Sequence, residues 1–551
     1  EGAPVDDETF EPPDDGTWEL DTTHMSRPIS WFARSALVSG MPRGFAQGLA
    51  RYGLLLGRYE VAVIGGFMYA QPVPFGAGGT ASPEQMQARI ATSARAFTER
   101  FWREDLDHWD EVVKPGAVAA HQDLQSVDPA SLSDGELAEH VVRCRDHLEA
   151  MFELHHRYSA PSLMATGDFL AAAMAWTGAT AGELMGLLRG TSAISTGFAT
   201  TELDALADAV AASDSARTAL ASSGDAEAVL SALTVDPDAG PAAQAYLDAV
   251  RHRSIGYDVG EPSAGELPAM LVGAIRAAVA SRKSGTGNAE GDAALTRIRA
   301  RVPAEHLADF DDRLHEARLA NRLRDERATY SDGWAVGLAR RALLEAGRRL
   351  AARGDLADPA QAVDADAGEL AALLRGEPGP SADTVARRSW LRTSRTVDDA
   401  PPLLGPPPVP PPPLEALPEP ARRATLAVNA ALINLFGVPD TSNSATVIHG
   451  LAVNAGVYEG PARLVADSAD FGRVQRGDVL VTRMTSPYFT VVLPLLGAIV
   501  TDRGGQLSHA AIVAREYGIP GIVGTRDATR LIPDGARVRV DGKTGEVRLL
   551  G

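Results

Sequence analysis

Hydrophobic positions along this chain change their period twice. From about residue 84 to 396, stretches such as PEQMQARIATSARAFTERFWREDLDHW and DGELAEHVVRCRDHLEAMFELHHRYS carry apolar residues three and four apart, the spacing that lays one face of an α-helix on a core. RLANRLRDERATYSDGWAVGLARRALLEAGRRLAARG continues the pattern and ends at Gly354, a residue suited to a left-handed helix stop. Residues 200–300 are richer in Ala, Asp and Ser, which predicts shorter or more exposed helices with loops at TVDPDAGP and SRKSGTGNAEGD. The pattern then breaks at APPLLGPPPVPPPPLEALPEP, residues 400–420. Proline at this density joins neither helix nor sheet and favours a stiff polyproline segment, which serves either as a linker for a travelling domain or as a strap pinned across the surface. After one more helix, ARRATLAVNAALINLFG, the period becomes that of short strands: ATVIHGLAVNAGVYEGPARLV, GDVLVTRM, GAIVTD, GIPGIVG and RVRVDGKTGEVRLL. The expected architecture is multidomain α+β. A large mainly α-helical domain over 1–399, able to line a ligand cavity, precedes the 400–420 linker and a small α/β domain over 421–551 with its core at 444–551.

Length and composition narrow the setting. The 551 residues, 45% of them hydrophobic, suffice for two or three domains. A formal charge of −20 argues against nucleic acid or an anionic membrane surface as a partner. With Cys144 as the single cysteine, no intrachain disulfide can form, and a reducing cytoplasmic location is the simplest expectation. The longest apolar run, YFTVVLPLLGAIV, is too short to span a bilayer as a helix. Lysine is nearly absent, and none of Lys114, Lys283 and Lys543 follows a glycine-rich strand-to-helix loop. GAGGT and SGTGNAEGD therefore read as connections, not Walker loops.

The chemistry concentrates in TDRGGQLSHAAIVAREYGIPGIVG, residues 501–524. Gly504 and Gly505 permit backbone angles closed to other residues, so the chain can turn sharply out of GAIVTD. Ser508 is a candidate N-cap, and the residues from His509 to Tyr517 are a short helix stopped by Gly518 and Pro520. His509 then falls in the first turn, where unpaired N–H groups and the positive end of the helix favour an anion.

TDRGGQLSHAAIVAREYGIPGIVGT, with the upstream GDVLVTRMTSP, resembles the swivelling phosphohistidine domain of phosphoenolpyruvate-utilising enzymes. The resemblance implies that His509 carries a phosphoryl group, with Gly504, Gly505 and Ser508 around the phosphate. Leu507 stands where dikinases of the family carry threonine, and leucine there is similar to the rifampin phosphotransferase branch. WELDTTHMSRPISWF, LRDERATYSDGW and RRALLEAGRRLAARGDLADP resemble the drug-binding part of that branch more loosely. They imply substrate contacts for His24, Arg324 and Asp325. The ATP-grasp domain that the family places in front is expected to be supplied by a partner chain or by a longer enzyme. ATP with Mg is then the indirect donor, and no cofactor is expected on this chain.

The residues themselves suit these roles. Imidazole is nucleophilic while neutral, an arginine fork can hold a phosphoryl group, and a carboxylate can take the acceptor's proton. His155 and His156, in ELHHRY, are further candidates for substrate contact. Glu153 with His156, and Asp105 with His108, have the i, i+3 spacing of helical metal sites, but such pairs are common on solvated helix faces and no metal is expected. The expected activity is phosphoryl transfer through phospho-His509 to a small-molecule hydroxyl, with activation for elimination, a net dehydration in a biosynthetic pathway, as a variant. The alternatives are a non-catalytic small-molecule-binding protein, or an enzyme using the helical cavity alone with the C-terminal domain as a lid.

Overall fold

The computed structural model describes residues 6–550 apart from 23, 26, 192–198, 282–288, 437–442, 467, 486–488, 490, 491 and 507. Chain contacts divide it into two compact units: Glu1–Met164 with Gly256–Pro262 and Glu326–Thr425, and Ala165–Ile255 with Ser263–Asp325 and Leu426–Gly551. No described helix is long and apolar enough to cross a membrane.

The first unit is built around the helices Trp31–Arg51 and Asp134–Arg157. Gly40, Gly44 and Gly48 present a bare face at four-residue spacing, and the carbonyls of Glu149, Glu153 and Arg157 lie against them. A Cβ at these glycines would meet those oxygens at 2.4, 2.2 and 2.6 Å. Because both series ascend together, the two helices run parallel. Arg43 locks the same seam by donating to Glu149 and Glu153, both at 2.8 Å. Ser133 and Glu136 form a reciprocal cap that starts the second helix. Phe32, Leu37, Leu148, Phe152 and, from the helix Asp332–Arg353, Leu343 and Leu350 make the core.

A small antiparallel sheet covers part of this unit: β1 (Trp18–Leu20), β2 (Leu56–Ile64), β3 (Phe67–Pro74) and β4 (Leu403–Leu404), in the order β2-β3-β1-β4. Gly65 and Gly66, both at positive φ, make the two-residue turn that joins β2 to β3.

In the second unit the C-terminal residues form an eight-stranded sheet: β5 (Val447–His449), β6 (Leu451–Asn454), β7 (Val457–Val465), β8 (Val479–Thr482), β9 (Ala498–Thr501), β10 (Gly521–Val523), β11 (Arg537–Asp541) and β12 (Glu546–Leu549). The order is β5-β12-β11-β7-β8-β9-β10-β6, with β7 to β10 parallel and the flanks antiparallel. β8 and β9 are buried along their whole length, which is why VLVT and AIVT are almost uniformly apolar. Helices between Thr200 and Ser281 bury Leu206, Leu233 and Ile275 in the same unit.

The mainly helical character with a small sheet-containing C-terminal part follows the expectation. Three local details differ from the sequence pattern. The helical run from Pro83 breaks at Arg100, whose φ of 55° is left-handed, and resumes at Phe101. The run towards Gly354 is two helices, Leu307–Thr329 and Asp332–Arg353, although Gly354 does cap the second in left-handed geometry. Leu403 and Leu404, inside the proline-rich segment, pair with β1. They do so because two consecutive non-proline residues at a sheet edge retain their donors.

Gly44→Ala tests the helix seam. Alanine gains about 1 kcal/mol over glycine in an open helix, and Gly116→Ala, with nothing within 4 Å of its Cβ, is expected to stabilise by up to about that amount. At Gly44 the added carbon must push the helices apart, which costs about 1–3 kcal/mol. Urea unfolding is expected to give a lower midpoint for G44A and an equal or higher one for G116A.

Candidate active site

Parallel pairing of β8 with β9 sends two loops out from the same edge of the sheet, the carboxyl ends where α/β folds bind ligands. The pairing extends beyond the strands, with Asp502 N–H donating to Thr482 O at 3.1 Å and Arg503 N–H to Arg483 O at 2.8 Å. Asp502 anchors the second loop by accepting from Thr529 N–H at 3.0 Å and from the Thr529 hydroxyl. Only Gly504 of the glycine pair takes a left-handed φ, 105°. Gly505 instead closes the turn, its carbonyl accepting from Ser508 N–H at 3.0 Å. Ser508 caps the helix His509–Glu516 by accepting from Ala511 N–H, and Gly518 ends it at φ 65°. Leu507 lies outside the described residues.

His509 therefore stands at the head of its helix, partly buried, with Nδ1 3.0 Å from Thr485 Oγ1 on the β8 loop. Sequence reasoning missed Thr485 as a partner. It lies in RMTSP, but 24 residues separate it from His509 and only the parallel strand pairing brings them together. Burial pulls the imidazole down to about 4; Asp325 opposes that shift and Arg324 adds to it. The ring is accordingly neutral at physiological pH. In the tautomer where Nδ1–H donates to Thr485, Nε2 keeps its lone pair.

Arg324 and Asp325 thus belong to the electrostatic surroundings of His509, as the helix Leu307–Thr329 delivers them there. Arg324 pairs with Asp325 at 3.1 Å. Asp325 Oδ2 is buried without a hydrogen-bond partner among the described residues. A second arginine, Arg515, was not singled out from the sequence. It is buried, donates to the backbone and side chain of Gln506, and through Gln506 Nε2, 2.8 Å from Ala452 O, ties the glycine turn to β6. Burial and the charge of Arg324 lower it to about 9.

The first unit gathers His24, His155 and His156. His155 Nδ1 is 2.8 Å from Asp332 Oδ1, and the two histidine rings lie 4.7 Å apart. His24 Nδ1 is 2.7 Å from Asp21 Oδ2, and its ring meets Tyr257 edge-on at 5.6 Å. Arg327 donates to His155 O and Ser159 Oγ, both at 3.0 Å. Burial lowers His155 despite Asp332, and lowers His156 further with the help of His155. For His24 burial opposes the charge, but Asp21 outweighs it and the net shift is upward. Tyr257, Arg327 and Asp332 were not legible as partners, since each lies in a segment far along the chain from the histidine it meets, whereas Asp21 is only three residues before His24. The i, i+3 pairs are engaged elsewhere: Glu153 accepts from Arg43 and Gln47, His156 Nδ1 bonds Phe152 O, and Asp105 accepts from Arg51 and Tyr52.

The depressed His509 has a stability consequence. The unfolded chain binds a proton near the ordinary value of about 6.5, whereas the folded imidazole resists until about 4. Stability from this group is whole above the unfolded value and is lost as pH falls through that window. In His509→Gln that part of the acid dependence disappears, so the fall in melting midpoint from pH 7 to pH 5 is expected to be smaller than in the wild type.

Two family models match separate stretches of this chain. Residues 474–545 match the PEP-utilising enzyme mobile domain, and residues 155–343 match the rifampicin phosphotransferase fourth domain. The chain is 43% identical over 113 residues to the uncharacterized phosphotransferase YvkC of Bacillus subtilis, a stretch covering 20% of this chain and 14% of that protein. It is 41% identical over 128 residues to a rifampicin phosphotransferase of a Streptomyces species, covering 23% and 14%. With the chondramide synthase cmdD of Chondromyces crocatus it shares 43% identity over 134 residues, 24% of this chain and 3% of that one. This chain thus spans about one seventh of the first two relatives. One chain thus carries a stretch that matches the PEP-utilising enzyme mobile domain and another that matches the rifampicin phosphotransferase fourth domain, and over part of its length it is similar to rifampicin phosphotransferases.

Proposed function

We propose that this protein moves a phosphoryl group through Nε2 of His509 to a hydroxyl of a small molecule. The observation that carries the reading is the state of one ring: His509 is neutral, stands at a helix N-terminus, and is held at Nδ1 by Thr485. In the first step the Nε2 lone pair attacks phosphorus while the bond to the donor's leaving oxygen breaks. In the second, the acceptor hydroxyl oxygen displaces the imidazole, which regains its lone pair. The orphaned Asp325 Oδ2 takes the hydroxyl proton, and Arg324 holds the phosphoryl oxygens. Gly504, Gly505 and Ser508 shape the turn around the phosphate. His24, His155 and His156 contact the acceptor.

ATP, with Mg, is the original donor in this reading, delivered by an ATP-grasp module. On an acceptor with an acidic C–H beside the phosphorylated carbon, departure of phosphate gives the net dehydration. Product analysis separates the two outcomes, a phosphate ester in one case and an alkene with free phosphate in the other.

Phosphoramidate, which phosphorylates imidazole without a protein partner, tests the carrier step. Wild type is expected to gain one acid-labile phosphoryl group on His509, and label of equal amount in His509→Ala would sink the reading. The rate is expected to be flat from pH 8 to 5 and to fall below about 4, where the ring protonates. Thr485→Val removes one hydrogen bond, about 1–1.5 kcal/mol, and is expected to slow the step roughly tenfold with folding intact.

A further inference from the structure

The segment from Pro406 to Pro413 reads PPPVPPPP, and all eight of its residues are exposed. Val409, at 89%, is more exposed than any other large hydrophobic side chain among the described residues. Exposure here does not reflect a loose chain end, because both flanks are fastened within the same unit. On the N-terminal side β4 pairs with β1, Tyr69 donates to Pro401 O at 2.7 Å, and Thr17 Oγ1 to Pro406 O at 2.9 Å. Gly405, at φ 81°, turns the chain out, its Cα so close to Gly16 that a Cβ would meet Gly16 O at 2.1 Å. On the C-terminal side Ala421 and Ala424 are buried, and Arg423 stacks over Phe97 at 4.4 Å.

Proline fixes φ and forces the preceding residue into extended backbone, and Pro413, at φ −55° and ψ 140°, has the polyproline geometry. With three residues per turn the segment presents three ridges. Pro407, Pro410 and Pro413 form one and Pro408 and Pro411 a second, while Val409 lies on the third between Pro406 and Pro412. Two adjacent all-proline ridges are the surface that grooves of stacked aromatic rings accept, and a segment already straight has little conformational entropy left to lose on docking. The charge around it is one-sided: between Arg395 and Arg422 the ionisable residues are Asp398, Asp399, Glu415 and Glu419.

We propose that this strap is a docking segment for a partner protein that presents an aromatic-lined groove with a basic rim. The occupant reads the ridges Pro407/Pro410 and Pro408/Pro411, and its cations face the carboxylates at the two ends of the strap.

A fluorophore-labelled WW domain carrying lysines at its groove rim serves as the probe, titrated with the full chain and followed by anisotropy. Saturable binding at micromolar concentration is expected. It should weaken at least tenfold in the double variant Pro407→Ser/Pro410→Ser, whose circular dichroism should match the wild type, and remain within twofold in Val409→Ala. Absence of binding at millimolar chain, or equal binding by the double variant, would overturn the proposal. So would sedimentation showing self-association that the double variant abolishes, since the occupant would then be a second copy of the chain.

Discussion

The site rests on the parallel pairing of β8 with β9. Each strand is buried on both faces and too short to hold its register by itself, so the alternative of slipping by one residue is blocked by packing on both sides. That register decides where the two following loops emerge. It places Thr485 beside a histidine 24 residues further on, and lets the backbone of Asp502 and Arg503 prolong the ladder as far as the glycine turn. The chemistry of His509 is therefore a property of the sheet as much as of the ring.

A second constraint acts in the other unit, where three glycines let two parallel helices approach until backbone meets backbone. The contact ends at Arg157, directly after His155 and His156, so the spacing of the helices fixes the rotation of the turn that bears both rings. Gly44 lies beneath His156 itself, where its added Cβ would come within 2.9 Å of the histidine Cβ. Close helix packing thus brings His156 against the seam, and burial is the main cause that lowers both histidines.

How much of this was legible depended on whether the signal was local. Ser508 as cap, Gly504 as turn, Gly354 as helix stop and the strands from residue 447 onward are dictated by near neighbours and were readable from the pattern. The break at Arg100 was not, because a left-handed arginine is favoured only by the packing around it. Nor was β1, whose pairing with β3 across some fifty residues leaves no mark on helical periodicity. His509 announced itself through its motif, while its partner Thr485 and, in the other unit, Asp332 beside His155 and Tyr257 beside His24 came together only by long-range assembly. Arg515 sat inside the quoted motif, yet its hold on Gln506 crosses from helix to turn and carries no sequence signature.

Near His509, Arg324 is paired with Asp325, while Arg515 is buried, repelled by Arg324 and drawn to Glu516, with Nε without a hydrogen-bond partner among the described residues. Since burial and Arg324 together still hold Arg515 at about 9, the carboxylates relieve only in part the repulsion between the two cations. A dianion arriving on the ring would discharge it. On the proposed carrier role of His509, the loaded form would then be the more relaxed one, and surrendering the cargo would return the fold to the tenser state.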